Sequence, residues 1–553
     1  MRDHRPRDMS PVEIGFHPQP AVPWLNPGLL IRTGVNVGLA YALGGYLDKR
    51  ELQAALPGDS FDHSDPAELW LDYTADGGDG FDATYSIAYL MAQPAVTPAG
   101  STDPLPRGRV LVLGGDQVYP AASAKLYEDR WKGPYRAALP RCDVDSPTIY
   151  ALPGNHDWYD GLTAFLRLFA QEETIGGWKT AQHRSYYALE LPHGWWLLAI
   201  DIQLDSYIDE PQLDYFADLA NDQLGPDNRI ILVAPRPAWA MANTYPEAYD
   251  SIDYFVRRVI EPTGARIPVI VAGDKHHYSR YAGPGPDAQG RQLVTCGGGG
   301  AYLTSTAHLP DDVTVPVEDT LVRAASTPQT YHRQVTYPPR TKSRQLGWGI
   351  FGRLPFKHPG FIVLVGLMQT LLMLAILASG DLWFTAPIGF AVVAVVAGTY
   401  LFAVLVGRRG RRHQVAALLH AVPHVALGFV GAAVWSAVPI VDVPAPWSTL
   451  LAFVIYLPVI GVVDAWIVGA YLLIASRFGV NVNELHAGLA IDDYKCFLRM
   501  HIGSDGALTI YPIGLDRVGR TWRAAPDAPP EASWIEPAEP LVTHLIEPPV
   551  VVR

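Results

Sequence analysis

Arg109-Val110-Leu111-Val112-Leu113-Gly114-Gly115-Asp116-Gln117-Val118-Tyr119 is an apolar, β-branched run that stops at two glycines and delivers a carboxylate. Its first half has strand length and strand composition, and the glycine pair marks the turn that ends it. Three other stretches end in the same way. Glu68-Leu69-Trp70-Leu71-Asp72-Tyr73-Thr74-Ala75 ends at Asp76. The run from Pro147 to Gly154 ends at Asn155, His156 and Asp157, and the run from Arg266 to Gly273 ends at Asp274 and His276. In sheets interleaved with helices, sites collect at strand ends. Four strand ends that bring carboxylate, amide and imidazole to one rim supply the donor set of a hard or borderline divalent cation. Asp and Asn are also ordinary turn formers. The ordered recurrence favours the metal reading over a set of unrelated turns.

The blocks carry a resemblance. Gly115-Asp116-Gln117-Val118-Tyr119, Gly154-Asn155-His156-Asp157 and Gly273-Asp274-Lys275-His276-His277-Tyr278-Ser279-Arg280-Tyr281 are similar to the ordered motifs of the calcineurin-like metallophosphoesterases, the superfamily that includes the purple acid phosphatases. Ala75-Asp76-Gly77-Gly78-Asp79-Gly80 would be the first motif. The resemblance implies an α/β (α+β) four-layer β-sandwich flanked by helices, over residues 65–335. It implies one or two divalent metal ions (Mn, Mg, or Fe/Zn) and hydrolysis of a phosphate monoester or diester by a metal-activated water. Asp116 would bridge the metals, Asp76 and His276 would hold the first, and Asn155 would hold the second. His156 would give a proton or hydrogen bond to the leaving oxygen, with Asp157 orienting its ring.

Three positions depart from the family pattern. Gly78 replaces a histidine, as it does in purple-acid-type members. Pro235 stands where a histidine is expected after the strand Arg229–Ala234, and proline cannot ligate. Asp274 stands at the first histidine of the last motif. The second metal would then rely on Asp116, Asn155 and Asp274, an oxygen set suited to Mg, Mn or even Ca rather than Zn, and a weak or empty second site is the alternative. Arg236, beside Pro235, would hold a substrate phosphate oxygen.

The chain has 553 residues, with 18% charged and a formal net charge of −13, which excludes a general nucleic-acid binder. Cys142, Cys296 and Cys496 are too dispersed for a Cys-based zinc site or a disulfide framework. The charged, proline-broken opening is not a secretory signal. Past residue 358 the composition changes. Gly360–Gly380, Leu382–Gly407 and His413–Val441 lack Asp, Glu, Lys and Arg, and in Val443–Ser476 only Asp464 interrupts. Four such runs predict a four-helix transmembrane bundle, at about 359–380, 383–407, 414–440 and 449–476. Trp383, Trp435 and Trp447 sit near run ends, at interfacial depth. Arg340, Lys342, Arg344, Arg353 and Lys357 precede the first run, and Arg408, Arg409, Arg411 and Arg412 separate the second from the third. Basic loops stay inside, so the soluble part and both termini are expected in the cytoplasm, on a multi-pass membrane protein whose expected partners are the bilayer and a phosphoester, for which the membrane location suggests a membrane-associated one.

The remaining organisation reads as an N-terminal extension (1–64), a basic linker (336–358) and a cytosolic tail (477–553). The tail's β-hairpin is expected to pack on the catalytic domain. Asp464 falls at a depth matching His420 and His424 on the third span, so a His–Asp pair is expected there, either as interhelical glue or as part of an ion path. Two rival readings remain open: a degenerate phosphoesterase domain acting as a membrane-tethered sensor or scaffold, and a small transporter with a regulatory soluble part.

Overall fold

The computed structural model describes residues 14–29, 32, 34, 35, 38, 50–142, 146–202, 207–242, 245–284, 290–317, 326–380, 385–404, 411–438, 443, 444, 446–525 and 529–553. Trp383, Arg408, Arg409 and part of the N-terminal extension lie outside the described residues. The chain forms two units: residues 1–22, 33–340 and 492–553 make the first, and residues 23–32 and 341–491 the second.

The first unit is a mixed α/β structure with two nine-stranded sheets. One sheet runs, neighbour to neighbour, through Thr543–Leu545, Leu508–Leu515, Lys495–Ile502, Leu69–Thr74, Val110–Leu113, Thr148–Ala151, Trp178–Thr180 and Thr174–Ile175, and Val550–Val552 also pairs with Leu508–Leu515. The other runs through Phe61–Asp62, Tyr187–Leu191, Trp195–Ala199, Arg229–Ala234, Arg266–Ala272, Gln292–Cys296, Tyr278–Ala282, Gln329–Tyr337 and Asp312–Val315. The strand Arg266–Ala272 belongs to the second sheet; the other three strands that end in the quoted motifs are parallel neighbours in the first, with Leu71 opposite Val110 and Val110 opposite Thr148. Parallel registry sends their C-terminal ends to the same rim.

The apolar runs are continuous because both faces of these strands are covered. Val110 and Val112 enter one core with Leu197, Ile231 and Val269 of the second sheet. Leu111 and Leu113 face outward to a core with Phe81, Tyr85, Trp131 and Phe165. In the second sheet, Ile230 and Leu232 face a third core with Leu213, Phe216, Trp239 and Phe255. Two sheets thus pack face to face, with helices over both outer faces. Each fully buried Leu, Ile or Val contributes about 1.5–3 kcal/mol, so these cores dominate the stability of the unit.

Three expected boundaries change. Residues 336–358 are not a linker: strand Gln329–Tyr337 runs into them, followed by helices Arg340–Gly347 and Ile350–Lys357. A nine-residue strand paired on both sides, with buried Tyr331 and Tyr337, outweighs the Pro338-Pro339 punctuation. The N-terminal extension is not separate either, because Phe61–Asp62 pairs with Tyr187–Leu191 and Phe16 enters the core. The tail hairpin adds strands to the first sheet rather than packing against it: Leu498 lies opposite Tyr73, and Arg499 opposite Asp72. Arg499 closes this junction with a two-pronged ion pair, Nε to Asp72 Oδ1 at 2.8 Å and Nη2 to Asp72 Oδ2 at 2.9 Å.

The second unit contains four helices long and apolar enough to cross a membrane: α1 (Pro359–Ala378), α2 (Ala386–Ala403), α3 (Arg411–Ser436) and α4 (Trp447–Phe478). Each matches one of the uncharged runs to within a few residues. Helix α4 includes a π-turn over Ala452–Tyr456.

Candidate metal centre

Asp76, Asp116 and Asp274 each follow directly on a strand, and each is held in the left-handed region, with φ of 61°, 52° and 63°. Aspartate tolerates this conformation, at a cost of about 1–3 kcal/mol where the surroundings impose it. Three strand-end carboxylates bent alike is a finding that no sequence pattern announces.

The structure brings Asp76, Asp116 and His276 around one atom, the hydroxyl oxygen of Tyr119. That oxygen is 3.1 Å from Asp76 Oδ1, 3.3 Å from Asp116 Oδ2 and 3.2 Å from His276 Nε2. His276 Nδ1 lies 2.7 Å from the Tyr302 carbonyl oxygen. A carbonyl only accepts, so Nδ1 carries the proton and Nε2 turns a lone pair inward. Tyr119 has one proton to give and three acceptors around it. Sequence reasoning missed Tyr119 as a site residue. It stood three positions after Asp116 in the quoted motif, and the place of its side chain was the missing information.

The electrostatics agree with the geometry. Burial, then the charges of Asp116 and Asp274, hold the Asp76 carboxyl well above the usual carboxylate range. Burial, aided by Asp274 against the pull of His156, also raises Asp116. Burial lowers His276 to about 3, keeping the imidazole neutral.

Asp76 Oδ2 is buried with no hydrogen-bond partner. A Cβ on Gly297 would stand 2.3 Å from that oxygen, and one on Gly154 would stand 2.1 Å from Asp116 Oδ1. Glycine is required at both positions for backbone to close over the carboxylates. The Gly297–Gly300 run is accordingly a tight connection, with Gly299 N–H bonded to the Ala75 carbonyl.

The other expected residues sit differently. Asp274 forms an ion pair with Lys275 Nζ at 2.7 Å. Burial pushes its carboxyl up, but Lys275, His276 and Arg236 together hold it below the ordinary value. Arg236 is thus within electrostatic reach of Asp274. Asn155 directs Nδ2 to the Tyr159 hydroxyl at 2.8 Å. His156 N–H donates to Asp116 Oδ1 at 2.8 Å, and its ring Nδ1 bonds the Pro120 carbonyl at 2.8 Å. The hydrogen-bond partners of Asp157 lie in the backbone and in Tyr127. It accepts from Gly154 N–H at 2.8 Å, from Gln117 N–H at 3.3 Å and from the Tyr127 hydroxyl, which ties the two motif loops together.

Among the described residues, no three His, Cys, Asp or Glu side chains stand at ligand spacing about a common point. His276 Nε2 and Asp76 Oδ1 are 3.7 Å apart, with the Tyr119 hydroxyl between them and Asp116. The residues nonetheless fit a divalent cation: a bare buried carboxylate oxygen, two carboxyls strained by burial, and an inward imidazole lone pair. Compared with models of protein families and with curated proteins, the chain matches none.

Proposed function

We propose that the first unit is a metal-dependent phosphoesterase of the calcineurin-like type, hydrolysing a phosphate monoester or diester, and that α1–α4 carry it as an integral membrane protein with both termini cytoplasmic. The observation that carries this reading is the Tyr119 hydroxyl shared among Asp76, Asp116 and His276 beside the bare Asp76 Oδ2. Asp76, Asp116, Tyr119 and His276 hold the cation. A bound divalent cation supplies Lewis-acid charge to a phosphoryl oxygen and acidifies water. His156 keeps Nδ1–H on the Pro120 carbonyl, so a proton passed to the leaving oxygen travels on Nε2. Lys275 and Arg236 bring positive charge beside Asp274, where an anionic ester gains it. A bilayer setting favours a membrane-delimited phosphoester.

One observation favours the sensor or scaffold reading: Lys275 already neutralises Asp274, and Pro235 offers no ligand. Turnover separates the two. Full-length protein, stripped of metal and reloaded with Mn, Mg, Fe or Zn, is expected to cleave a chromogenic phosphate monoester or diester, and the Asp116→Asn protein is not. No turnover with any of these metals would leave the sensor reading standing.

A further inference from the structure

The bundle holds a second polar centre. Asp464 on α4, His424 on α3 and Gln369 on α1 meet with all three side chains buried. Asp464 Oδ1 lies 2.6 Å from His424 Nδ1 and accepts from Gln369 Nε2 at 3.0 Å. Gln369 Nε2 also donates to the His424 carbonyl at 3.0 Å. The backbone is shaped to bring them together. A Cβ on Gly461 would stand 2.6 Å from the Ile362 carbonyl oxygen, one on Gly366 would stand 2.5 Å from the Leu457 carbonyl oxygen, and one on Gly428 would stand 2.2 Å from Leu372. These contacts let α4 and α3 approach α1 closely beside Gln369.

The pairing confirms the expected His–Asp contact and leaves a remainder. Interhelical glue accounts for Asp464 Oδ1, which takes two donors. It does not account for Asp464 Oδ2, Gln369 Oε1 and His424 Nε2, all buried without a partner. With Nδ1–H turned to the carboxylate, His424 Nε2 also holds a lone pair. A polar network with this many bare acceptors is a poor core device, and it calls for something that brings positive charge.

We propose that Asp464, Gln369 and His424 form a binding site for one monovalent cation, a proton or sodium. A dication is disfavoured because the site has one carboxylate, and hard dications gather several. His424 and Gln369 bond to Asp464, and Tyr456, earlier on α4, is within its electrostatic reach. His420 lies one turn from His424, with ring centroids 4.5 Å apart, and stacks on Tyr471 at 3.7 Å. Helix α2 contributes Phe402 against His420. No Lys or Arg occurs from residue 413 to residue 476, or from 359 to 407, so no basic side chain within these runs competes for the carboxylate. His420, Tyr471 and Asn481, with Tyr471 hydroxyl to Asn481 Oδ1 at 2.8 Å, continue the polar line toward the C-terminal end of α4.

The test is thermal unfolding of the full-length chain in lipid nanodiscs. In one arm, sodium is raised in tenfold steps against choline at constant ionic strength and pH. In the other, pH is lowered in sodium-free buffer. The native protein is expected to gain Tm in step with the logarithm of cation concentration in at least one arm. Sodium dependence identifies sodium. Dependence on pH alone identifies the proton, and the infrared carbonyl band of a neutral carboxyl then disappears in Asp464→Asn. Asp464→Asn is expected to respond less steeply than the native protein in the responding arm, keeping only the pH dependence that Asp76, Asp116 and His276 confer, and Gln369→Leu to need at least tenfold more cation. If Asp464→Asn does not assemble, Gln369→Leu carries the comparison. Equal slopes for native protein and variants in both arms, with Tm merely offset, would overturn the proposal and leave interhelical glue.

Discussion

The Tyr119 hydroxyl stands 3.1 Å from Asp76 Oδ1, across 43 residues of chain. It joins the loop after one strand to the loop after its parallel neighbour, at the point where Asp116 and His276 also converge. If this centre holds a cation as proposed, its affinity depends on the aromatic hydroxyl set among two buried carboxyls and an imidazole lone pair. Tyr119→Phe keeps the ring and its packing. The expected result is a folded protein whose divalent-cation affinity, measured by chelator competition, falls at least tenfold, the scale on which groups supporting a metal site act. Unchanged affinity would remove Tyr119 from the centre.

The pH dependence of the cation-free protein follows from the shifts at this site. Asp76 and Asp116 are raised, so their contribution to stability is present in acid and is lost as pH climbs through their folded values. His276 is lowered to about 3, so its contribution is present above about 6.5 and is lost as pH falls through that window. A divalent cation binds the deprotonated carboxylates. Added Mn or Mg is therefore expected to raise Tm more at about pH 8 than at about pH 5, and Asp76→Asn to abolish the difference. Equal Tm gains at both pH values would contradict the assignment.

Lys275 neutralises Asp274 where the resemblance asks for a second metal. Lys275→Met frees that carboxylate. The expected outcome is a rise in bound divalent metal per chain, read by elemental analysis, or tighter binding of the last equivalent. A stoichiometry and affinity identical to the native protein would show that Asp274 belongs to no metal position.

The tail contributes to the stability of the first unit. Arg499 and Asp72 are buried together, and Arg499 also donates to the Leu105 carbonyl at 2.8 Å. Removing one partner leaves the other charge uncompensated. Arg499→Ala is expected to cost about 3–5 kcal/mol in denaturant unfolding. A loss below about 1 kcal/mol would mean that the strand pairing alone holds the tail.

Much of this was legible in the sequence. The strand ends at Asp76, Asp116, His156 and His276 were readable because an apolar run closed by glycine and a polar donor is a local pattern. The four long helices were readable because uncharged runs of spanning length have few other uses. The illegible parts depend on where side chains turn in space. Asp157 turned to backbone N–H groups and Tyr127. Lys275, to which the motif assigns no role, turns back on Asp274. Cys296 and Cys496, 200 residues apart, meet at 3.8 Å because the tail hairpin joins the sheet, and long-range strand addition leaves no local trace. The 336–358 segment read as a linker because proline and basic residues mark loops on average, whereas here a strand and two helices use them.

The most direct test of the central claim is the metal content of the full-length protein, purified without chelator, with Asp116→Asn and Asp76→Asn purified alongside. The account predicts close to one tightly held divalent ion per native chain and a marked loss in both variants, with the fold retained by circular dichroism. A native protein that carries no divalent ion and takes up none on dialysis against Mn, Mg, Fe or Zn would contradict it.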